Sequence, residues 1–379
     1  MLDQIFPPMA LPLALYYPNT AQKINDPDSL TRHLKRSLSV ILSRYYPLAG
    51  RARGDGDFSD CNDAGVPFTV ARFRGHNLSE HLTDPRSRLL LTCAVDWGTD
   101  PGPHSAVLLV QVNLFDCGGV AIGAVFWHKV VDGSTVSVKE KMALQLGSTT
   151  DIHNTGRSIV TIYVFERSTV SLLKSKLSDV ERPSAVEVVS ALLWKCLMYA
   201  SLANGKSTSL LTQTVDLRRR AQPPFPPECF GNFLGLAPTT TTLHWKMRDS
   251  IVKIDDDYIN RMRGDLGLLG YYQNLQNTWT EYSPEFDILP ISSLCGHNFY
   301  GVDFGWGKPI WFSRCDTINE SMEGLVWNMI WLVETRNGEG IEAWVILHHK
   351  YMSIFNQVKE LTTLASINPT PTSLLRSRF

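Results

Sequence analysis

The chain contains 379 residues, of which 44% are hydrophobic and 19% are charged. This ordinary globular composition excludes a disordered or fibrous chain. The 36 basic and 37 acidic residues give a net charge of −1. The chain therefore lacks the basic excess that binds a phosphate backbone, and nucleic acid is not an expected partner. The length allows two domains that share an interface.

The first predicted element is a helix over residues 27–45, which Pro47 ends. Its apolar residues recur at helical spacing: Leu30, Leu34, Leu38. Two apolar runs, at residues 107–115 and 120–127, flank the sequence DCGG. An apolar run on each side of a glycine-rich turn predicts a β-hairpin that is buried on both faces.

A second strong helix is predicted to begin at Ser184. Ser184 and Glu187 form the pattern of a capping box, and the apolar residues after them predict an almost wholly buried helix. Further strands are predicted at residues 159–165, 300–303, 309–312 and 342–347. Helices and strands that alternate through both halves predict a two-domain α/β protein. We expect domains over residues 1–177 and 184–379, joined by a crossover at 178–183.

The cellular compartment is predicted from the termini and the cysteines. No segment contains the roughly 18 consecutive apolar residues of a membrane-spanning helix. The apolar N-terminus is interrupted by Asp3 and by prolines, unlike a secretory signal. The seven cysteines are scattered and form no Cys-x-x-Cys pair, which argues against a structural zinc site and against a disulfide framework. We therefore expect a soluble, cytoplasmic protein that does not engage a membrane.

His128 is the foremost candidate for chemistry because it directly follows a buried strand. An imidazole titrates near neutrality, so a histidine placed there can accept a proton at working pH. Asp132, four residues later, either orients the imidazole or braces the turn through a distant arginine. A His-x-x-x-Asp spacing is common by chance, so spacing alone does not establish catalysis.

Two other groups of residues have simpler structural interpretations. His348 and His349 follow a strand without a carboxylate or cysteine at ligand spacing, which favours a surface pair over a metal site. Asp255, Asp256 and Asp257 stand at a predicted helix start, where carboxylates complement the helix dipole. No permanently bound metal is predicted.

Five segments match one family in the family's own order. They are YYPLAGR at 45–51, HKVVDG at 128–133, AVEVVSALLWK at 185–195, DFGWGKP at 303–309 and GIEAWV at 340–345. Through them the chain resembles the BAHD acyltransferases, plant enzymes that move an acyl group from coenzyme A to a hydroxyl or amine. The resemblance implies two similarly folded, chloramphenicol-acetyltransferase-like domains with a tunnel at their interface.

The resemblance also implies residue roles. His128 would act as general base, taking the proton of an acceptor hydroxyl whose oxygen attacks the thioester carbonyl without an acyl-enzyme. The Asp132 carboxylate would be structural, with Arg218 as its salt-bridge partner. The resemblance marks two motifs: the first is His-x-x-x-Asp-Gly at 128–133 and the second is Asp-Phe-Gly-Trp-Gly at 303–307. The residues implied to support them are Asp132, Gly133, Asp303, Gly305, Trp306 and Gly307. The resemblance implies a monomer with no permanently bound cofactor and with acetyl-CoA, or another acyl-CoA, as co-substrate.

Two segments bear on the acyl donor. Relatives that transfer hydroxycinnamoyl groups carry a Thr-x-Trp segment and an arginine before the second motif, whereas residues 292–297 read SSLCGH. This segment and FDCGG at 115–119 look more like the branch that acetylates alkaloids, terpenoids and alcohols. The resemblance thus implies O-acetylation of a plant specialised metabolite. An amine acceptor, or a longer or aromatic acyl-CoA, is the alternative.

The chain also departs from the family. It is several tens of residues shorter, its start resembles a point where relatives have completed their first strand, and the segment between Asp132 and Phe165 is compressed. A missing strand would expose a sheet edge. An inactive, truncated relative or a binding protein is therefore a further alternative. The arginines at 218–220 either meet coenzyme A phosphates or form a solvated turn with one buried arginine.

Overall fold

The computed structural model describes residues 10–19, 26–52, 59–83, 105–132, 155–156, 158–177, 181–206, 208–226, 229–239, 244–264, 267, 270, 286–314, 324–325 and 328–370. In these residues the chain forms two large mixed sheets covered by helices, and the predicted α/β class is confirmed.

The strands, in chain order, are β1 (Ala10–Tyr17), β2 (Arg51–Ala52), β3 (Ser59–Asp60), β4 (Phe68–Phe73), β5 (Leu108–Phe115), β6 (Val120–Trp127), β7 (Thr155–Gly156), β8 (Ser158–Phe165), β9 (Thr208–Asp216), β10 (Leu234–Thr239), β11 (Phe286–Ser293), β12 (Trp311–Arg314), β13 (Gly324–Leu325), β14 (Met329–Glu334), β15 (Ile341–His348) and β16 (Ser366–Ile367). The helices are α1 (Pro27–Arg44), α2 (Leu78–Thr83), α3 (Arg167–Ser175), α4 (Ala185–Ala203), α5 (His244–Val252), α6 (Asp256–Arg261), α7 (His349–Phe355) and α8 (Lys359–Leu364). Short 3₁₀ turns occupy Tyr46–Ala49, His128–Val130 and Phe299–Gly301.

The first sheet has the strand order β12-β1-β6-β5-β4. Its centre is the predicted hairpin of β5 and β6, and every residue of β6 is buried, as its unbroken apolar run requires. β1 lies inside this sheet between β6 and β12, with Ala10 opposite Trp127 and Tyr17 opposite Val120. Residues 10–17 therefore supply an interior strand, and among the described residues the sheet edges are β12 and β4.

The second sheet has the order β10-β9-β11-β14-β15-β8-β16, with β11 parallel to both of its neighbours. One of its faces packs on α4 through an apolar core. Its other face shares a second core with the first sheet, to which Trp331 and Trp344 contribute. The two sheets are thus joined by apolar packing rather than by polar contacts alone.

The predicted helix after Ser184 is confirmed as α4. The Ser184 hydroxyl accepts from the Glu187 amide at 3.1 Å, and the Glu187 carboxylate accepts from the Ser184 amide at 2.7 Å, which completes the capping box. Among the described helices, α4 alone is long and apolar enough to cross a membrane by length and composition, yet 56% of it lies buried inside the fold. That burial is typical of the core helix of a globular protein.

Two predicted strands differ from the structure. The prediction of a strand at 300–303 is wrong, because Asn298 adopts a left-handed conformation at φ 55° and the chain continues into a 3₁₀ turn. Tyr300 counts among the apolar residues of the predicted strand, but its hydroxyl donates to the Glu342 carboxylate at 3.1 Å. The strand predicted at 309–312 begins two residues later, as β12.

The sheets do not divide the chain at one place. β8 precedes the predicted crossover at 178–183 but lies in the second sheet, whereas β12 follows it but lies in the first sheet. The two units at 1–177 and 184–379 stay a prediction. By sheet membership, the chain has entered the second sheet at Ser158.

Candidate active site

His128 lies at the end of the most buried strand of the first sheet. β6 pairs with β1 as far as Trp127, opposite Ala10, and the chain then makes one 3₁₀ turn over His128–Val130. His128 and Asp132 are both 0% exposed. The local apolar sequence thus carries an imidazole and a carboxylate into the interior, where polar groups require partners.

A loop of the second sheet meets this turn. We call residues 217–226 and 229–233 the clamp loop; it connects β9 to β10. The guanidinium of Arg218 donates to both carboxylate oxygens of Asp132, from Nη1 at 2.7 Å and from Nη2 at 2.9 Å. The structure therefore brings the two residues of the expected salt bridge together, in the bidentate geometry that strengthens such pairs.

Arg218 is itself held in place by the loop. Its side chain donates to the carbonyl oxygens of Cys229 and Gly231, and its guanidinium carbon lies 4.7 Å from the centre of the Phe233 ring. Burial works against the charged form, but hydrogen bonds and charges from Asp132 and Asp216 raise the pKa of Arg218 above its usual range. The arginine therefore stays charged inside the protein.

Two further contacts tie the clamp loop to the turn. The Asn232 side chain donates from Nδ2 to the carbonyl oxygens of His128 at 2.9 Å and of Lys129 at 3.2 Å. The backbone amide of Phe233 donates to Asp132 Oδ2 at 2.8 Å. Sequence reasoning missed Asn232; the only signal was a Gly-Asn pair shortly after Arg218, and such pairs are more common in turns.

The second motif forms a separate turn. Asp303 Oδ1 accepts from the amides of Gly305 at 2.8 Å and Gly307 at 2.9 Å. Both glycines have positive φ, +102° and +121°, which L side chains rarely adopt. The carboxylate thus closes a tight turn in which Trp306 stacks on Phe304 at 5.3 Å.

This turn lies far from His128. Trp306 packs against Tyr17 of β1, and Tyr17 donates to the carbonyl oxygen of Val302 at 3.3 Å. Tyr17 stands opposite Val120, at the start of β6, whereas His128 follows its end. Val120 and Trp127, the two ends of β6, are separated by about 24 Å of extended strand. The structure therefore does not bring the Asp303 turn to the candidate base. Gly133 lies outside the described residues.

His297 is a second group that sequence reasoning did not single out. It is half-buried and follows β11 in the segment 292–297. Burial lowers its pKa, while the charges of Asp216 and Asp132 oppose that shift and Arg218 adds to it. The charged residues that hold the turn of His128 therefore also act on the His297 imidazole.

The remaining candidates have structural explanations. Asp255 caps α6 by accepting from the Tyr258 amide at 2.8 Å, as the dipole argument predicts. The prediction that both histidines lie at the surface is wrong for His348. His348 is buried and accepts a hydrogen bond from the Lys350 amide through Nδ1, whereas His349 is exposed. Of the three arginines at 218–220, Arg218 is buried and Arg219 is exposed. This agrees with the alternative of a solvated turn with one buried arginine.

In the part of the chain that the structure describes, no group of three or more His, Cys, Asp or Glu side chains is arranged to hold a metal ion.

The family model described as the Transferase family matches residues 1–139 and 137–362. The chain belongs to this family, the BAHD acyltransferases.

Similar proteins cover nearly the whole chain. Stemmadenine O-acetyltransferase of Catharanthus roseus is 30% identical over 94% of this chain and 90% of its own length. Limonoid 21-O-acetyltransferase of Melia azedarach is 31% identical over 98% of this chain and 93% of its own length. The crystal structure of vinorine synthase superposes with a TM-score of 0.77 at 27% identity, covering 96% of this chain and 92% of that one. The two-domain fold implied by the resemblance is confirmed by this match.

Proposed function

We propose that this chain is an acyl-CoA-dependent O-acyltransferase that transfers acetyl from acetyl-CoA to a hydroxyl of a plant specialised metabolite, with His128 as general base. The observation that carries the proposal is the position of His128: wholly buried at the end of β6, where the clamp loop of the second sheet closes on it. The activities of the two similar O-acetyltransferases, stemmadenine O-acetyltransferase and limonoid 21-O-acetyltransferase, support an acetyl donor and a hydroxyl acceptor.

The reaction requires no group beyond the two substrates and one imidazole. The neutral imidazole of His128 takes the proton of the acceptor hydroxyl while its oxygen bonds to the thioester carbonyl carbon. The tetrahedral intermediate collapses, the carbon–sulfur bond breaks, and the thiolate of coenzyme A takes the proton back from the imidazolium. The ester and free coenzyme A leave, and the enzyme is unchanged.

Asp132 serves this reaction indirectly. Both of its oxygens accept from Arg218, and Oδ2 also accepts from the Phe233 amide. A carboxylate so occupied braces the turn that bears His128, which is the second of the two roles considered for it. The main contributions to catalysis are then positioning of the two substrates and general base catalysis.

The test begins with the purified chain, acetyl-CoA and a panel of alcohols: an indole-alkaloid alcohol, a triterpenoid alcohol and a short-chain alcohol. Thiol release is followed with a chromogenic disulfide, and the ester is identified by mass spectrometry. We expect His128→Ala to lower kcat by about 10²–10⁴-fold, the range that general base catalysis supplies. Its melting temperature should stay close to that of the wild type.

His349→Ala is the matched control, because His349 is an exposed histidine at the start of α7. Equal turnover by His128→Ala and the wild type would refute the proposal. Turnover only with amines, or only with malonyl-, benzoyl- or coumaroyl-CoA, would support the alternative substrates. A folded, monodisperse protein that binds no acyl-CoA by calorimetric titration would support the inactive relative or binding protein.

We also propose that the enzyme works as a monomer in the cytoplasm. Among the described cysteines, Cys61, Cys117, Cys196, Cys229 and Cys295 are free thiols, which suits a reducing compartment. Burial raises the pKa of Cys196 and of Cys295 to about 12, so both stay protonated. Light scattering and fluorescence imaging of a tagged chain in plant cells test the two statements.

A further inference from the structure

The turn that bears His128 depends on a side chain from the other sheet. β6 leaves its ladder at Trp127, so His128 is the first residue beyond the sheet. The His128 carbonyl accepts from the Val131 amide at 3.3 Å within its own turn. It also accepts from Asn232 at 2.9 Å, and Asn232 is 0% exposed.

We infer that Asn232 is a positioning residue, which fixes the backbone of His128 and so the place of its imidazole. This inference rests on the proposed function of His128 as general base. It concerns a residue outside both sequence motifs, and it assigns to the second sheet a direct hold on the base.

An amide side chain suits this task. Its NH₂ group has two hydrogens, and Nδ2 of Asn232 lies within hydrogen-bond distance of two consecutive carbonyl oxygens, those of His128 and Lys129. An aspartate there would face the same carbonyls with acceptors only. A serine would offer one donor. The geometry therefore selects a neutral side chain with two donors.

The neighbouring residue completes the hold. Phe233 donates its backbone amide to Asp132, the last residue of the segment 128–132. Asn232 and Phe233 thus tie both ends of this segment to the clamp loop. A displacement of the loop moves the base, and a misplacement of about 1 Å can cost 10²-fold in rate.

This hold differs in kind from the pair of Arg218 and Asp132. In that pair two buried charges neutralise each other, so removing one partner leaves a buried charge without its counter-charge and destabilises the protein. Asn232 is neutral and bonds to the backbone of the base residue itself. Its removal should therefore affect the rate more than the stability.

The test compares Asn232→Ala with Asn232→Leu. Both lose the donors, but only the first leaves a hole, so agreement between them assigns the effect to the hydrogen bonds. We expect kcat to fall at least tenfold in both, with KM for acetyl-CoA within about threefold of the wild-type value. If the leucine variant does not fold, the alanine variant alone carries the test.

Ser209→Ala is the stability control. The Ser209 hydroxyl accepts from the buried Trp194 indole at 2.7 Å, and Ser209 lies seven residues, about 23 Å of strand, before Asp216. Its loss also leaves a buried polar group unpaired, but far from the base. We expect it to lower the melting temperature and to leave kcat unchanged. Equal kcat losses in Ser209→Ala and the Asn232 variants at matched melting temperatures would overturn the inference.

A readout without substrate separates this inference from the proposed function. The protein is labelled with ¹³C at Cε1 of its histidines, and the His128 signal is assigned by its loss in His128→Ala. We expect the His128 ring signal to shift in both Asn232 variants and to stay in place in Ser209→Ala. An unmoved signal refutes the positioning role even if the enzyme is active. A moved signal supports it even if the proposed reaction is wrong.

Discussion

We expect the loss of Arg218 and the loss of Asp132 from their buried ion pair to destabilise the protein by different amounts. Arg218→Met leaves a wholly buried carboxylate that keeps the Phe233 amide as a donor. Asp132→Asn leaves Arg218 with the carbonyl oxygens of Cys229 and Gly231 and with Asp216 at 3.3 Å. When Asp132 loses its charge, Arg218 thus keeps a second carboxylate, that of Asp216, beside its guanidinium. We expect the arginine variant to be the more damaging.

The magnitudes follow from burial. Removing one partner of a buried ion pair costs about 3–5 kcal/mol, which we expect for Arg218→Met. Asp132→Asn keeps the shape and one acceptor, so we expect about 1–3 kcal/mol. For 379 residues the unfolding entropy is about 0.8 kcal/mol/K, so the arginine variant should melt about 4–6 °C lower.

The assay is thermal unfolding by calorimetry of both single variants and of the double variant Arg218→Met/Asp132→Leu. The double variant should recover part of the loss, because neither position then leaves a charge unpaired. Two results would refute the reasoning. One is an asparagine variant as unstable as the methionine variant. The other is a methionine variant that keeps its melting temperature and loses only turnover.

Three further predictions concern stability. Asp303→Ala deprives the amides of Gly305 and Gly307 of their acceptor, so it should cost about 1–2 kcal/mol in urea unfolding with kcat within threefold of wild type; a large loss of kcat at unchanged stability contradicts this role. Gly305→Ala meets no atom within 4 Å of the added Cβ, so its expected cost of about 1–2 kcal/mol is purely conformational, and an unchanged urea midpoint would exclude it. Burial alone would raise the pKa of Glu187, but hydrogen bonds from Arg248 and Ser184 lower it to about 2. Its contribution to stability is therefore present above about pH 4.5 and is lost as the pH falls towards 2. Glu187→Gln should flatten that part of the curve of unfolding free energy against pH, measured by urea unfolding, and a slope equal to that of the wild type would contradict this role.

The elements that the sequence predicts well are those set by neighbouring residues. The hairpin of β5 and β6 follows from two apolar runs around a glycine-rich turn. The start of α4 follows from the Ser184 capping box, which is complete within four residues. In each case the residues that decide the structure are close together in the chain.

The rest depends on partners that are distant in the sequence. The segment 300–303 has strand-like composition, yet the left-handed Asn298 before it and the contact of Tyr300 with Glu342 produce a turn. Periodicity likewise contains nothing about which sheet β12 joins. Asn232 is an unremarkable residue in a loop until His128, 104 positions earlier, lies against it.

The exchange of β8 and β12 between the sheets has a consequence for dissecting this enzyme. β12 pairs with β1 over residues 13–16, and Arg314 of β12 lies 3.8 Å above the ring of Trp331 in the second sheet. A gene split at 178–183 would therefore yield two polypeptides that each lack a strand of their own sheet. Expressed apart, each would present an open sheet edge and aggregate. Expressed together, they should reassemble into one heterodimer that copurifies through a tag on either piece.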